Sequence, residues 1–139
     1  KYEVLAVNAF TSTRKRMSVI VQKGPGDYYL FVKGADNVML DRSVGTDPRI
    51  QVQLIDFARE GLRTLVVGRR KLPESEFAAW FSEYERAQRA LADRDEALAS
   101  AAEKIETRLV LLGVTAIEDK LQVGVGETIE RLRKGGMKL

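Results

Sequence analysis

The chain has 139 residues, of which 45% are hydrophobic and 31% charged, a composition typical of one folded domain with an apolar core. It contains no cysteine and no histidine, which excludes a disulfide scaffold, a thiolate zinc site, a cysteine nucleophile and a histidine general base. The formal net charge of +3 suits a phosphate-bearing ligand, and no apolar run approaches the roughly 20 residues that a membrane span requires.

The first part of the chain predicts strands followed by a short helix. Alternating β-forming residues indicate three strands, over residues 2–7, 16–21 and 28–32. Met17, Val19 and Val21 share one face of the second strand. The turn sequence Gly24-Pro25-Gly26-Asp27 joins the second and third strands in a hairpin. Gly34 ends the third strand, and a short helix is predicted over residues 35–40.

The rest of the chain predicts helices interrupted by two strands. Asp47 is a candidate N-cap with Pro48 at the first helical position, and Gly61 ends that helix. Pro73 and Glu74 open a longer helix, and Asp93 with Glu96 forms a predicted capping box for the next. The longer helix has an apolar stripe of Phe77, Trp80, Phe81, Tyr84, Ala87 and Leu91. Strands are predicted over 63–68 and 109–116, and a last helix over 125–135.

This order of elements predicts an α+β fold, an antiparallel sheet flanked by helices. The strand over 109–116 is nearly continuous in apolar residues, which predicts burial on both faces. With the helix that follows, it predicts the start of an α/β unit in a neighbouring parallel-sheet domain. Because the chain starts at Lys1 rather than at a methionine and stops just after a helix-ending glycine pair, we expect it to be part of a longer protein.

The first polar motif, Phe10-Thr11-Ser12-Thr13-Arg14-Lys15-Arg16-Met17-Ser18, joins two predicted strands. An aromatic ring followed by hydroxyls and cations can stack a base and hold phosphates, and such stacking is worth roughly 1–3 kcal/mol. Two alternatives remain open from these residues: a solvated basic turn with Phe10 in the core, or a basic surface for nucleic acid or anionic lipid.

The second motif is Lys33-Gly34-Ala35-Asp36-Asn37. A glycine directly after a strand lets the backbone approach a ligand closely, and Lys33 places a mobile cation beside it. The short helix that follows offers free N–H groups to an anion. A plain strand-to-helix turn with a surface lysine explains the same residues.

Two further motifs lie at ends of predicted strands. In Glu60-Gly61-Leu62-Arg63-Thr64-Leu65, the Arg63 guanidinium can clamp a phosphate with two hydrogen bonds, or can serve as a capping or ion-paired residue. Thr115-Ala116-Ile117-Glu118-Asp119-Lys120-Leu121-Gln122 ends a strand with two acids that could bind a cation, or is a polar linker between domains. The chain has no G-x-x-x-x-G-K-[ST] loop, so it is not a P-loop protein.

Taken in order, these four motifs resemble the nucleotide-binding domain of P-type ATPases, in particular the phospholipid-transporting (flippase) branch. The resemblance covers nearly the whole chain. It implies that Phe10 stacks the adenine, that Lys33 lines the adenine pocket and that Arg63 reaches towards the phosphates. Ser12, Lys15 and Gly34 lie in the same matched motifs.

The resemblance also implies a division of the chain: residues 1–113 form part of a nucleotide-binding domain, and residues 114–139 form a hinge and the start of a phosphorylation domain. Glu118 and Asp119 are then hinge residues rather than catalytic ones. The family's Asp-Lys-Thr-Gly-Thr motif, which carries the phosphorylated aspartate, is absent, so we expect this chain alone to bind ATP and to hydrolyse nothing. Position 126 is Gly where the family usually has Pro.

The intact protein, by resemblance, is an ATP-driven phospholipid transporter on the cytosolic face of a cellular membrane. Its cofactor is ATP with Mg²⁺, the magnesium being carried by the nucleotide and by the phosphorylation domain. Its implied partners are the phosphorylation and membrane domains, a phospholipid substrate and a small accessory membrane subunit, with no nucleic acid. Two alternatives remain: a nucleic-acid-binding domain using Arg14, Lys15 and Arg16, and a helical interaction module over 77–105 with an exposed apolar stripe.

Overall fold

The computed structural model describes residues 1–45, 47–118, 120 and 122–138. Within these ranges the chain forms one antiparallel sheet of five strands in the order β1-β2-β3-β4-β5, which confirms the predicted α+β class. The strands are β1 (Glu3–Asn8), β2 (Arg16–Gly24), β3 (Asp27–Gly34), β4 (Arg63–Leu72) and β5 (Val110–Ile117). The helices are α1 (Asp36–Asp41), α2 (Pro48–Arg59), α3 (Glu74–Arg89), α4 (Arg94–Ile105) and α5 (Val125–Lys134).

One face of the sheet carries the apolar core. Ile20, Leu30 and Val66 on adjacent strands are fully buried there, and Trp80 of α3 and Ile105 of α4 belong to the same cluster. Because successive side chains of a strand point to opposite faces, the positions between these belong to the other face. There Met17, Val19, Phe31 and Val67 are only half-buried. We call this second face the open face.

The predicted start of α2 is confirmed in detail. The side chain of Asp47 accepts a hydrogen bond from the backbone N–H of Arg49 at 2.9 Å, and Pro48 is the first helical residue. Asp47 thereby satisfies one of the N–H groups that have no partner within the helix.

Two details predicted for the longer helices are wrong. Asp93 precedes α4 as expected, but it has a φ of +54° and its side chain makes no capping hydrogen bond, so the capping box with Glu96 does not form. The helix α3 ends at Arg89, and Leu91 lies beyond it, fully exposed. The apolar stripe therefore ends one turn earlier than its spacing predicts.

The prediction that the strand over residues 109–116 is buried on both faces is also wrong. β5 is the last strand of the antiparallel sheet and, among the described residues, pairs with β4 alone. Val110, Leu112 and Ile117 are each more than half exposed. A run of apolar residues is found both in central strands and in edge strands whose side chains are exposed, so the run alone does not distinguish them.

After β5 comes α5, and none of its described residues is buried. Its apolar stripe, which includes Ile129, therefore contributes no buried residue to the core. Among the described residues, no helix combines the length and the apolar character needed to cross a membrane.

Candidate functional site

The loop of residues 9–15, between β1 and β2, is called the β1–β2 loop and carries several of the predicted ligand residues. Phe10 is 57% exposed, which excludes the alternative that it belongs to the core. Ser12 and Lys15 are exposed as well. Lys15 has a φ of +52°, in the left-handed region that costs a non-glycine residue roughly 1–2 kcal/mol.

The backbone of Lys15 is held from both sides. Its N–H donates to the carbonyl of Thr11 at 2.8 Å, and its carbonyl accepts from the N–H of Ala35 at 2.9 Å. The second bond ties the β1–β2 loop to the end of β3. The first and second sequence motifs are therefore neighbours in the structure.

Lys33 lies on the open face, opposite Met17 of β2 and Val67 of β4. It helps to line a shallow cavity of about 270 Å³. The other lining residues are Met17, Ser18, Val19, Phe31, Val32 and Val67. The surface is thus mainly apolar with one cation, which suits the flat ring of a base next to charged phosphates.

Gly34 permits a close approach between β2 and β3. A Cβ atom at this position would lie 2.6 Å from the Cβ of Arg16 and 2.8 Å from the carbonyl oxygen of Lys15. Both distances are shorter than any ordinary contact, so only glycine fits without a shift of the backbone. The glycine has this packing role whether or not a ligand is bound.

Arg63 begins β4, is exposed, and lies opposite Ile117 of β5. Val66, three positions later, lies opposite Gly34. Since a strand advances about 3.4 Å per residue, Arg63 lies about 10 Å along β4 from that pair. The structure thus brings the β1–β2 loop, Lys33, Gly34 and Arg63 to one end of the sheet. The lining of the open-face cavity includes Lys33 but, within the described residues, not Phe10, Ser12, Lys15, Gly34 or Arg63.

The start of α1 is a poor anion site, contrary to the sequence prediction. The carboxylate of Asp36 accepts a hydrogen bond from the N–H of Asn37 at 2.7 Å. A phosphate at this helix end would meet that negative charge, and the helix has only six residues.

Two cations of the basic run are bound by one buried carboxylate. The side chain of Glu106 is fully buried and accepts hydrogen bonds from Nε of Arg16 at 2.5 Å and from a terminal nitrogen of Arg14. The hydroxyl of Ser18 donates to the same carboxylate at 2.6 Å. A buried charge is tolerated when it is paired and hydrogen-bonded in this way.

A second carboxylate, that of Glu103, bridges Arg16 and Arg42. Its partial burial raises its pKa, but hydrogen bonds from Arg42 and Arg16 together with their charges outweigh this, so the pKa lies below its usual value. Glu103 therefore remains ionised at neutral pH and keeps both guanidinium groups paired. Sequence reasoning missed these pairings because an isolated glutamate in a helix gives no sign of its distant partner.

The nucleic-acid alternative loses its main support from these ion pairs. Of Arg14, Lys15 and Arg16, only Lys15 is exposed. Phosphate contacts need accessible cations. The alternative of a helical interaction module fails for a similar reason, because most of the predicted stripe is buried in the core. The buried members are Phe77, Trp80, Tyr84, Ala87, Ala102 and Ile105.

The fourth motif is only partly described. Glu118 is exposed and lies 3.3 Å from Nζ of Lys120, whereas Asp119 lies outside the described residues. In the described part of the chain, no group of three or more Asp and Glu side chains is arranged to hold a metal ion.

Comparison with known proteins gives a family match and relatives that are similar along the whole of this chain. The family model for the cytoplasmic domain N of P-type ATPases matches residues 1–124. The chain is 48% identical to phospholipid-transporting ATPase 1 of Arabidopsis thaliana, covering 100% of the chain and 12% of that protein. It is 46% identical to phospholipid-transporting ATPase IC of Homo sapiens, covering 99% and 11%, and 45% identical to phospholipid-transporting ATPase DRS2 of Saccharomyces cerevisiae, covering 100% and 11%. The chain thus spans about a ninth of the length of these relatives.

Proposed function

The chain belongs to the P-type ATPase family and corresponds to the cytoplasmic domain N of that family, and we propose that it binds ATP. The proposed binding site is the end of the sheet at which the β1–β2 loop, Lys33 and Arg63 lie. One observation supports this most strongly. An apolar cavity on the open face, an exposed aromatic ring at Phe10 and several cations occur at the same end of one sheet. A purine ring needs apolar and aromatic surface, and a triphosphate needs cations beside it.

In this proposal Phe10 stacks on the adenine, and Lys33 contributes a cation beside the base. Arg63 reaches the phosphates, for which its planar guanidinium is suited. Ser12 and Lys15 contribute from the β1–β2 loop, and Gly34 lets that loop pack against β3. Magnesium arrives with the nucleotide.

The role of the chain within the intact protein is positioning. Holding the adenine and the phosphates in place allows the γ-phosphoryl group to reach an aspartate in another domain, and such orientation is a large part of phosphoryl-transfer catalysis. We propose residues 114–139 as the hinge and the start of the phosphorylation domain, with Glu118 and Asp119 in the hinge.

The printed names of the relatives support a further proposal for the intact protein, namely ATP hydrolysis coupled to phospholipid transport. Its partners would be the phosphorylation and membrane domains, the lipid substrate and a small accessory membrane subunit. The nucleotide-binding domain would lie on the cytosolic side of the membrane. The chain alone is expected to bind ATP without hydrolysing it.

The exposed ring of Phe10 is the proposed stacking partner of the adenine. Substituting Phe10→Ala should weaken ATP binding by roughly 5- to 150-fold, because the ring stack is lost. The dissociation constant is measured by titrating ATP into the ¹⁵N-labelled chain and following amide shifts. In the unsubstituted chain, the shifts should cluster around Phe10, Lys33 and Arg63.

Val52→Ala is the control. Val52 is 57% exposed, as Phe10 is, and lies on α2, which packs on the core through Ile50 and Leu54, so its truncation changes exposed apolar surface away from the proposed site. Its dissociation constant for ATP should equal that of the unsubstituted chain. Equal losses in the two variants, or no shifts near Phe10 at millimolar ATP, would contradict the proposal.

A further inference from the structure

We propose that Glu106 is a positioning residue for nucleotide binding, which fixes the β1–β2 loop in the conformation that presents Phe10 and Lys15. The inference rests on the proposed ATP site and extends it to a residue far from the four sequence motifs. Glu106 follows the last residue of α4 and is fully buried, on the covered side of the sheet. It acts on the ligand only through other residues.

Glu106 is connected to the loop backbone by two guanidinium groups. One terminal nitrogen of Arg14 donates to Glu106, and the other donates to the carbonyl of Ala9 at 2.6 Å. Arg16 donates to Glu106 through Nε, and one of its terminal nitrogens donates to the carbonyl of Arg14 at 3.0 Å. Carbonyl groups near both ends of the loop are therefore held by cations that this carboxylate orients.

A third connection reaches the strand before the loop. The side-chain amide of Asn8 donates to the hydroxyl of Ser18 at 2.9 Å, and that hydroxyl donates to Glu106 at 2.6 Å. Asn8 is the last residue of β1. Residues at the start of the loop and at its end are thus connected by hydrogen bonds to the same carboxylate.

The conformation of Lys15 shows that the loop is held under constraint. Its left-handed φ of +52° is unfavourable for lysine, and it lies between Arg14 and Arg16, which are both anchored on Glu106. Such a conformation persists only when its surroundings impose it. A loop that is ordered before the ligand arrives loses less entropy on binding, so affinity depends on the anchor.

The test uses Glu106→Gln and Arg14→Gln in the 139-residue chain. Each variant removes a charge from the anchor, and we expect the dissociation constant for ATP to rise about tenfold, which is about what freeing one backbone residue costs. ¹⁵N relaxation should show lower order parameters for residues 9–15, with the sheet amides unchanged. Arg14→Gln leaves the Arg16–Glu106 pair in place and keeps the test decisive if Glu106→Gln does not fold.

Glu76→Gln is the matched control. Glu76 also accepts hydrogen bonds from two arginines, Arg70 and Arg108, but it lies at the start of α3 and has no bond to the β1–β2 loop among the described contacts. This variant should lower stability while leaving both the ATP affinity and the loop order parameters unchanged.

The outcomes separate the two proposals. If the unsubstituted chain binds ATP and both anchor variants bind it equally well with an ordered loop, the role of Glu106 is overturned and the ATP site stands. If Glu76→Gln weakens ATP binding as much as they do, the effect is one of general stability and the positioning role is again overturned. If the unsubstituted chain does not bind ATP, the proposed function fails and this inference fails with it.

Discussion

At the scale of single residues, the absence of a side chain at Gly34 and the burial of Arg16 both determine the structure around the β1–β2 loop. Gly34 is needed because Arg16 and the carbonyl of Lys15 occupy the space where a Cβ would lie. Arg16 is buried although its neighbours in the basic run suggest a solvated turn. It can be buried because Glu106 and Glu103 neutralise its charge.

Substituting Gly34→Ala should therefore lower the free energy of unfolding by roughly 1–3 kcal/mol, the usual cost of adding a methyl group to a filled space. Gly113→Ala is the matched control, because a Cβ added at this position in β5 would have no atom within 4 Å among the described residues. That variant should be unchanged or more stable by about 0.5–1 kcal/mol, since alanine is favoured over glycine in a strand. Urea unfolding measures both, and equal stabilities of the two variants would refute the packing role.

At the scale of elements, an aspartate precedes both α2 and α4, but only the one before α2 caps its helix. Asp47 caps α2 through a hydrogen bond to Arg49 N–H, in an extended conformation. Asp93 precedes α4 in a left-handed conformation and makes no such bond. The two sites look alike in sequence, because each aspartate stands just before an apolar helical pattern.

Asp47→Ala should accordingly destabilise the protein by about 1 kcal/mol, the typical cost of losing an N-cap. Asp93→Gly should be neutral or stabilising by up to about 1 kcal/mol, since glycine adopts a positive φ without strain. Thermal unfolding followed by circular dichroism compares them. A larger loss for Asp93→Gly than for Asp47→Ala would mean that the Asp93 side chain has a stabilising partner in solution.

At the scale of the whole molecule, the sheet and α1–α4 form a core to which α5 contributes no buried described residue. β5 belongs to that core unit through its pairing with β4, which continues from Arg69 opposite Val110 to Arg63 opposite Ile117. The proposed domain boundary after residue 113 falls inside this strand.

Two truncations test where the folding unit ends. A chain that stops after Glu118 should keep its melting temperature within about 2 °C, because none of the described residues of α5 is buried. A chain that stops after Gly113 loses the pairs of residues 114–117 with β4 and should melt at least about 4 °C lower. If both truncations leave the melting temperature unchanged, the unit ends at 113, and if the first lowers it strongly, α5 packs on the core.

Local chemistry was sufficient to predict the strand order along the chain, the hairpin, the Asp47 cap and the motifs that placed the chain in its family. Each of these depends on residues a few positions apart. The sequence did not reveal the open-face cavity beside Lys33, the edge position of β5 or the pairing of Arg16 with Glu106, 90 positions later. These depend on which surfaces the folded chain covers and which charges it brings together. The free energy of burying a charge is determined by a partner that only the tertiary structure supplies.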